Sequence, residues 1–246
     1  MCTVSFVPSN DKIIITSNRD EAVLRTAIPP ETYLVNGTKI TFPKDPKAGG
    51  TWYAVAENGT VLVLLNGAEE KHKHLPPYNR SRGLIVLEMI SNDSPITHWN
   101  AIDLDNVEPF TLVLFQNSAL FQLRWNGDTK NRTDLDASKN HIWSSSTLYP
   151  KNIREQRSQW FFQFIQNKYE INETEMFHFH RYTENSNAEN GLIINRNDAL
   201  KTLSITQTVL QNQKTEMHHY DLIEGKKYSL EIGTNPKSQF ANLQST

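Results

Sequence analysis

A chain of 246 residues with 37% hydrophobic content can bury a sizeable core, and its formal net charge of −2 leaves no basic field for a nucleic-acid partner. Its single cysteine, Cys2, excludes an internal disulfide framework and fits a reducing compartment. No apolar run approaches the roughly twenty residues that span a bilayer, and no basic segment followed by an apolar stretch opens the chain, so a soluble cytoplasmic protein without a secretory signal is expected.

Residues 3–7 and 12–17 are rich in β-formers, and Pro8-Ser9-Asn10-Asp11 between them is turn chemistry, which predicts an antiparallel hairpin. With Val7 opposite Lys12, Cys2 faces Ser17, and Arg19 and Asp20 emerge beside the start of the chain. Behind a residue as small as Cys2 the initiator Met1 is normally removed, which leaves a thiol and a free α-amine on one residue. These titrate near ~8.5 and ~8, so the amine can serve as base for the thiol. A guanidinium such as that of Arg19 favours the thiolate, and the Asp20 carboxylate can orient the amine.

Residues 28–46 read as a polar, proline-containing connection with short β-like pieces at 33–35 and 39–42, long enough to form a pocket wall. Residues 51–56 and 61–65 flank Asn58-Gly59, the strongest short hairpin signal, with both turn residues at positive φ. The second of these strands is apolar without alternation and is expected to be buried on both faces, with Asn66 at its end. His72 and His74 read as part of a polar loop, not a metal site, for want of a third ligand. Residues 81–90 carry an apolar stripe at helical spacing, and Arg82 in the first turn can hold an anion there. Ser94 and Pro95 open a second helix.

A further hairpin is predicted for residues 110–116 and 119–125 around Asn117-Ser118, then a strand at 141–144. Pro150 introduces a helix over 151–168 with Trp160, Phe161, Phe164 and Ile165 on one face. Residues 177–180 read as a half-buried amphipathic piece and 184–190 as a loop. Strands are expected at 191–195, 203–209, 217–220 and 227–232, the 203–209 strand with one wet face, and the last dozen residues form a loose tail. More than ten short strands with helices grouped in two places argue for an α+β layered sandwich in a single domain spanning residues 1–246.

Cys2 followed by Asn18-Arg19-Asp20-Glu21 resembles the NRDE family, named for that tetrapeptide and also called the transport-and-Golgi-organisation family. Gly49-Gly50-Thr51-Trp52, Leu64-Leu65-Asn66 and Arg80-Ser81-Arg82-Gly83 agree in order, within about the first ninety residues. The family is similar to N-terminal-nucleophile (Ntn) hydrolases of the bile-salt hydrolase and penicillin acylase type. That resemblance implies a four-layer αββα sandwich, Cys2 as nucleophile, Arg19 and Asp20 as its partners, and Asn66 as oxyanion donor. Trp52 and Arg82 join these as candidate substrate-binding residues. Two segments depart from the family pattern. Ser144-Ser145-Ser146-Thr147 stands where relatives commonly carry Asn, and Ala188-Glu189-Asn190-Gly191 where they commonly carry Arg.

The expected function is hydrolysis or acyl transfer on a non-peptide amide or thioester of a small molecule, with no cofactor. The alternative, motivated by the two departures, is a non-catalytic carrier of a hydrophobic ligand such as haem or lipid. Oligomeric state is left open.

Overall fold

The computed structural model describes residues 3–166, 168, 170–212 and 214–233. Cys2 and the tail beyond Gly233 lie outside the described residues. Strands β1 (Thr3–Ser9) and β2 (Lys12–Ala22) form the first hairpin. Its register is Ser9↔Lys12 and Thr3↔Asn18, not Val7 opposite Lys12. The strands run to a two-residue connection in which Asn10 takes φ 51°, so the register moves by two residues and the facing of every side chain is kept. Pro8, which cannot donate to a ladder, lies beyond the last residue that β1 pairs with its other neighbour, Phe6.

The predicted connection over residues 28–46 is instead a full hairpin, β3 (Ile28–Val35) and β4 (Thr38–Lys44). Asn36 and Gly37 close it at φ 49° and 83°, a two-residue turn whose Asn-Gly signal was present in the sequence. Strands β5 (Tyr53–Ala56) and β6 (Val61–Asn66) follow as expected, with β6 buried through Leu65. Only Gly59 takes positive φ there, at 81°. Four residues, 57–60, connect the strands, so the turn is not the two-residue type, and Asn58 accepts from the Thr60 amide and stays out of the left-handed region.

Helix α1 (Arg82–Ile90), capped by the Ser81 side chain, and α2 (Pro95–Ala101), capped by Ser94, match expectation. So do β7 (Phe110–Gln116), β8 (Ala119–Trp125) and β10 (His141–Ser144). Strand β9 (Lys130–Leu135) was not foreseen, because it is polar and pairs as a sheet edge. Helix α3 spans Lys151–Ile165. Residues 177–180 belong to α4 (Glu173–Tyr182), whose capping box joins Asn172 and Glu175. Of the strand expected at 191–195 only β11 (Asn195–Arg196) forms, and β12 (Leu200–Gln211), β13 (Lys214–Asp221) and β14 (Lys226–Gly233) complete the chain.

Among the described residues the strands form two seven-stranded antiparallel sheets, one in the order β10-β1-β2-β12-β13-β14 with β11 on β12, the other running β3 to β9 in sequence order. Val4, Phe6, Ile13 and Ile15 of the first sheet pack on Val55, Leu62 and Phe115 of the second in one core. The opposite face of β1 and β2, through Val7 and Ile14, packs on Phe161 of α3 and Met176 and Phe179 of α4. Helix α1 covers β5 and β6 from the other side. The layers are therefore αββα. This corrects the wet face expected for β12: α4 lies on one side of the strand and the second sheet on the other, so residues 202–210 are all buried. Among the described residues no helix is long and apolar enough to cross a membrane.

Candidate active site

Two groups of polar residues meet at the end of the sandwich where β1 begins and β2 ends. Neighbouring residues of a strand point to opposite faces, which divides Arg19 from Asp20. Arg19 turns between the sheets and Asp20 toward the helices.

On the inter-sheet side a cleft of about 360 Å³ is lined by Arg19, Trp52, Asn66 and Arg82. Four of the six residues singled out from the sequence thus share one cavity. Arg19 is 3% exposed, its guanidinium carbon 4.2 Å from the centroid of the Trp52 ring, and its Nη1 donates to the Arg25 carbonyl at 2.7 Å. Trp52 is both core residue and pocket wall: it is 3% exposed, lines the cleft, and its Nε1 has no hydrogen-bond partner among the described residues. Asn66 ends β6 on the cleft wall, where Ser145 Oγ donates to its carbonyl at 2.7 Å.

Arg82 is held on the floor of the cleft by a close crossing of two chains. Gly50 passes so near Gly83 that an added Cβ would lie 2.3 Å from the Gly83 carbonyl carbon, and the Thr51 amide donates to the Gly83 carbonyl at 3.2 Å. Arg82 Nη2 pairs with Glu108 at 2.9 Å and Nη1 donates to the Pro109 carbonyl at 3.2 Å. Burial lowers the Arg82 pKa, opposed by the charge of Glu108. The other Glu108 oxygen meets His72 Nε2 at 3.1 Å and His74 Nδ1 at 3.2 Å, so the expected solvated loop is tied to the cleft wall. Burial works against the Glu108 carboxylate, yet Arg82 and the two imidazoles hold its pKa below the ordinary value. Across the mouth, Arg25 pairs with Asp45 at 2.5 Å and Glu21 at 3.2 Å. Burial likewise opposes the Asp45 charge, and hydrogen bonding and charge from Arg25 keep its pKa low.

On the helix side, Asp20 accepts from Tyr149 Oη at 2.7 Å and from Thr202 Oγ1 at 2.6 Å. Arg157 of α3, fully buried, lies with its guanidinium carbon 3.5 Å from the Tyr149 ring centroid. It donates through Nη1 to Thr3 Oγ1 at 2.6 Å, through Nη2 to the Gly191 carbonyl at 2.5 Å and through Nε to the Asn190 carbonyl at 3.2 Å. His180, expected to be half-buried, is fully buried, with Nε2 2.7 Å from Ser5 Oγ and Nδ1 against Asn18 Oδ1. Asn18 Nδ2 is committed to the His180 and Leu192 carbonyls, so Nδ1 carries the proton and Nε2 accepts from Ser5. Burial, with the charge of Arg157 adding, pushes the His180 pKa down to about 3, and the ring stays neutral.

Sequence reading missed Tyr149, Thr202, Arg157 and Glu108. Arg157 carried a usable signal, because it stands four residues before Phe161 on the buried stripe of α3. Glu108, in a connecting segment, carried none.

The family model described as Transport and Golgi organisation 2 matches residues 1–234. No curated protein matches the chain. Two solved structures that resemble it are of conjugated bile acid hydrolase from Clostridium perfringens. An arginine-to-leucine variant gives a TM-score of 0.63 at 10% identity, covering 94% of this chain and 92% of that one. A form in which the cysteine at position two is alanine gives 0.58 at 10%, covering 96% and 98%. The Caenorhabditis elegans ortholog of N-acylethanolamine-hydrolyzing acid amidase gives 0.59 at 13%, covering 84% and 92%. Likeness at such identity establishes the fold, an Ntn-hydrolase αββα sandwich.

Proposed function

The chain belongs to the Transport and Golgi organisation 2 family, and from that premise and the cleft we propose that it is an N-terminal-cysteine hydrolase or acyltransferase of small non-peptide amides or thioesters. The observation that carries this reading is the convergence of Arg19, Trp52, Asn66 and Arg82 on one cleft at the end of the sandwich where β1 begins. Support comes from two sides. The structures that share the fold are named as hydrolases of a conjugated bile acid and of an N-acylethanolamine, and one was solved with its cysteine at position two replaced.

In the proposed reaction Met1 is removed and Cys2 becomes the N-terminus. The Cys2 α-amine, directly or through a water, takes the thiol proton as Sγ attacks the carbonyl carbon. Arg19 favours the thiolate, and the Asn66 side-chain amide stabilises the oxyanion. The tetrahedral intermediate collapses with cleavage of the C–N or C–S bond, and the ammonium returns its proton to the leaving group. Water then attacks the thioester by the reverse use of the same groups and releases the acid and free thiol. Asp20, fixed by Tyr149 and Thr202, orients the amine. Trp52 and Arg82 hold the substrate.

The carrier alternative is the weaker of the two, since the charges of Arg19, Arg25, Arg82, Asp45 and Glu108 around the cleft suit a polar substrate better than haem or a lipid chain. The test is turnover of a panel of N-acyl amides and acyl thioesters. Cys2→Ala is expected to abolish hydrolysis, and Asn66→Ala to lower kcat by about 10²–10³. Binding of haem or lipid with no turnover of any member would favour the carrier and end the hydrolase reading.

A further inference from the structure

Arg157 is a cation with no ion-pair partner among the described residues. It is fully buried, and among the described residues no carboxylate lies within the 4.0 Å of an ion pair. Its hydrogen bonds go to one hydroxyl and two backbone carbonyls, and its flat face to Tyr149. Taking a charge out of water without pairing it is costly, and a structural cross-link needs only neutral donors. Its field also acts at low local dielectric, where charge effects on neighbours are large. One neighbour already registers it: the charge of Arg157 adds to burial in lowering the His180 pKa.

Arg157 Nη1 holds Thr3, the residue joined to Cys2, at 2.6 Å. We propose, resting on the reading of Cys2 as nucleophile, that Arg157 is the fixed charge that sets the proton affinity of the chain start. A positive charge there disfavours the ammonium and favours the thiolate, so it keeps the α-amine available as base and the thiol as nucleophile at neutral pH. The other charged and titratable groups at this end lie on both faces of the first sheet. From β2 come Arg19 and Glu21, on the cleft side with Arg25, Arg82, Asp45 and Glu108, and Asp20 on the helix side. From the segment before α3 comes Tyr149, whose hydroxyl donates to Asp20. From α4 comes His180, held neutral, and from β11 Arg196, whose guanidinium carbon lies 5.3 Å from the Tyr149 ring centroid. Asp20, accepting from Tyr149 and Thr202, acts in the opposite sense to Arg157, and Arg196 is itself paired with Glu189 at 3.6 Å. Arg157 is thus a positioning and tuning residue that acts through Cys2 and not on the substrate.

The test is the rate of iodoacetamide alkylation against pH for the full chain, with circular dichroism as folding control. Wild type is expected to show a midpoint below that of an ordinary thiol. Arg157→Gln should raise the midpoint by about one pH unit, so that labelling at pH 6 slows about tenfold, while Arg157→Lys, which keeps the charge, stays near wild type. A low wild-type midpoint that Arg157→Gln leaves unmoved overturns this inference and leaves Cys2 as nucleophile intact. An ordinary wild-type midpoint overturns both. Should neither variant fold, Thr3→Val decides, because it removes the hydroxyl that Arg157 holds and leaves Arg19 untouched. A midpoint that rises supports Arg157 as the source, and one that stays at the wild-type value overturns it.

Discussion

At the scale of single residues, the molecule separates two jobs that lie side by side in the sequence. Arg19 and Asp20 are neighbours, yet the pleat of β2 sends one to the cleft and the other to a hydrogen-bonded triad with Tyr149 and Thr202. Tyr149 and Thr202 are buried donors, so removal of Asp20 leaves them unsatisfied. Tyr149→Phe tests the triad with less disruption, since it deletes one hydroxyl and keeps the ring beneath Arg157. A hydrogen bond to a charged group contributes about 1.5–3 kcal/mol, and urea unfolding of Tyr149→Phe is expected to show a loss of that size. An unchanged transition would mean that the Oη–Asp20 contact contributes nothing to stability. In the cleft, Arg19 stacks on Trp52, and the ring both shields the charge from water and fixes its direction. Trp52→Leu should therefore weaken the site by freeing Arg19, visible as a higher thiol midpoint in a protein that still folds.

At the scale of elements, the cleft depends on α1 crossing the strand entry at Gly50. A Cβ on Gly50 would meet the Gly83 carbonyl carbon at 2.3 Å and the Leu84 amide nitrogen at 2.6 Å, both backbone atoms that cannot swing aside. A Cβ on Gly83 would lie 3.0 Å from Thr51 N and O, a milder conflict. Thermal unfolding should accordingly rank Gly50→Ala as the worse substitution, at about 3 kcal/mol, with Arg82 displaced from the cleft. Equal effects would show that the crossing is not tight. Much of this architecture was legible in the sequence. The hairpin around Asn117-Ser118, the double burial of β6 and the caps Ser81 and Ser94 follow from local chemistry alone. What escaped was decided by tertiary contacts. Strand β9 has no apolar face and exists through pairing with β8. The polar face of β12 is buried because packed layers cover both sides of the strand; Thr206 Oγ1 meets His219 Nδ1 at 2.8 Å, whereas Ser204 Oγ is buried without a hydrogen-bond partner among the described residues. In the site, residues near one another in sequence or in shared motifs were found, whereas Arg157 and Tyr149 reach Thr3 and Asp20 across more than a hundred residues.

At the scale of the whole molecule, two buried histidines make stability depend on pH. Burial first, then the charge of Arg157, takes His180 to about 3, and burial, with Arg19 adding, takes His219 to about 4, against an ordinary 6.5. Above pH 6.5 neither folded nor unfolded chain binds these protons, and the pair contributes no slope. Below it the unfolded chain takes up two protons that the folded chain refuses, so stability falls with pH by up to about 3 kcal/mol per unit until His219 itself titrates. The depressed carboxylates Asp45 and Glu108 add their loss from about pH 5 downward, so the window from 6.5 to 5 isolates the histidines, among them His218, whose pKa burial also lowers. His219→Gln should lower the slope of urea-derived stability across that window by one proton's share, up to about 1.4 kcal/mol per unit, and an unaltered slope would assign it to other groups. The central claim, that the mature chain begins with a nucleophilic Cys2, is also read on the whole molecule. Intact mass of the protein from its native host, before and after exposure to an acyl thioester, tests it most directly. The expected result is a chain lacking Met1 that gains one acyl group, mapped to Cys2, with the gain absent in Cys2→Ala. A chain that retains Met1 and takes up no acyl group would contradict it.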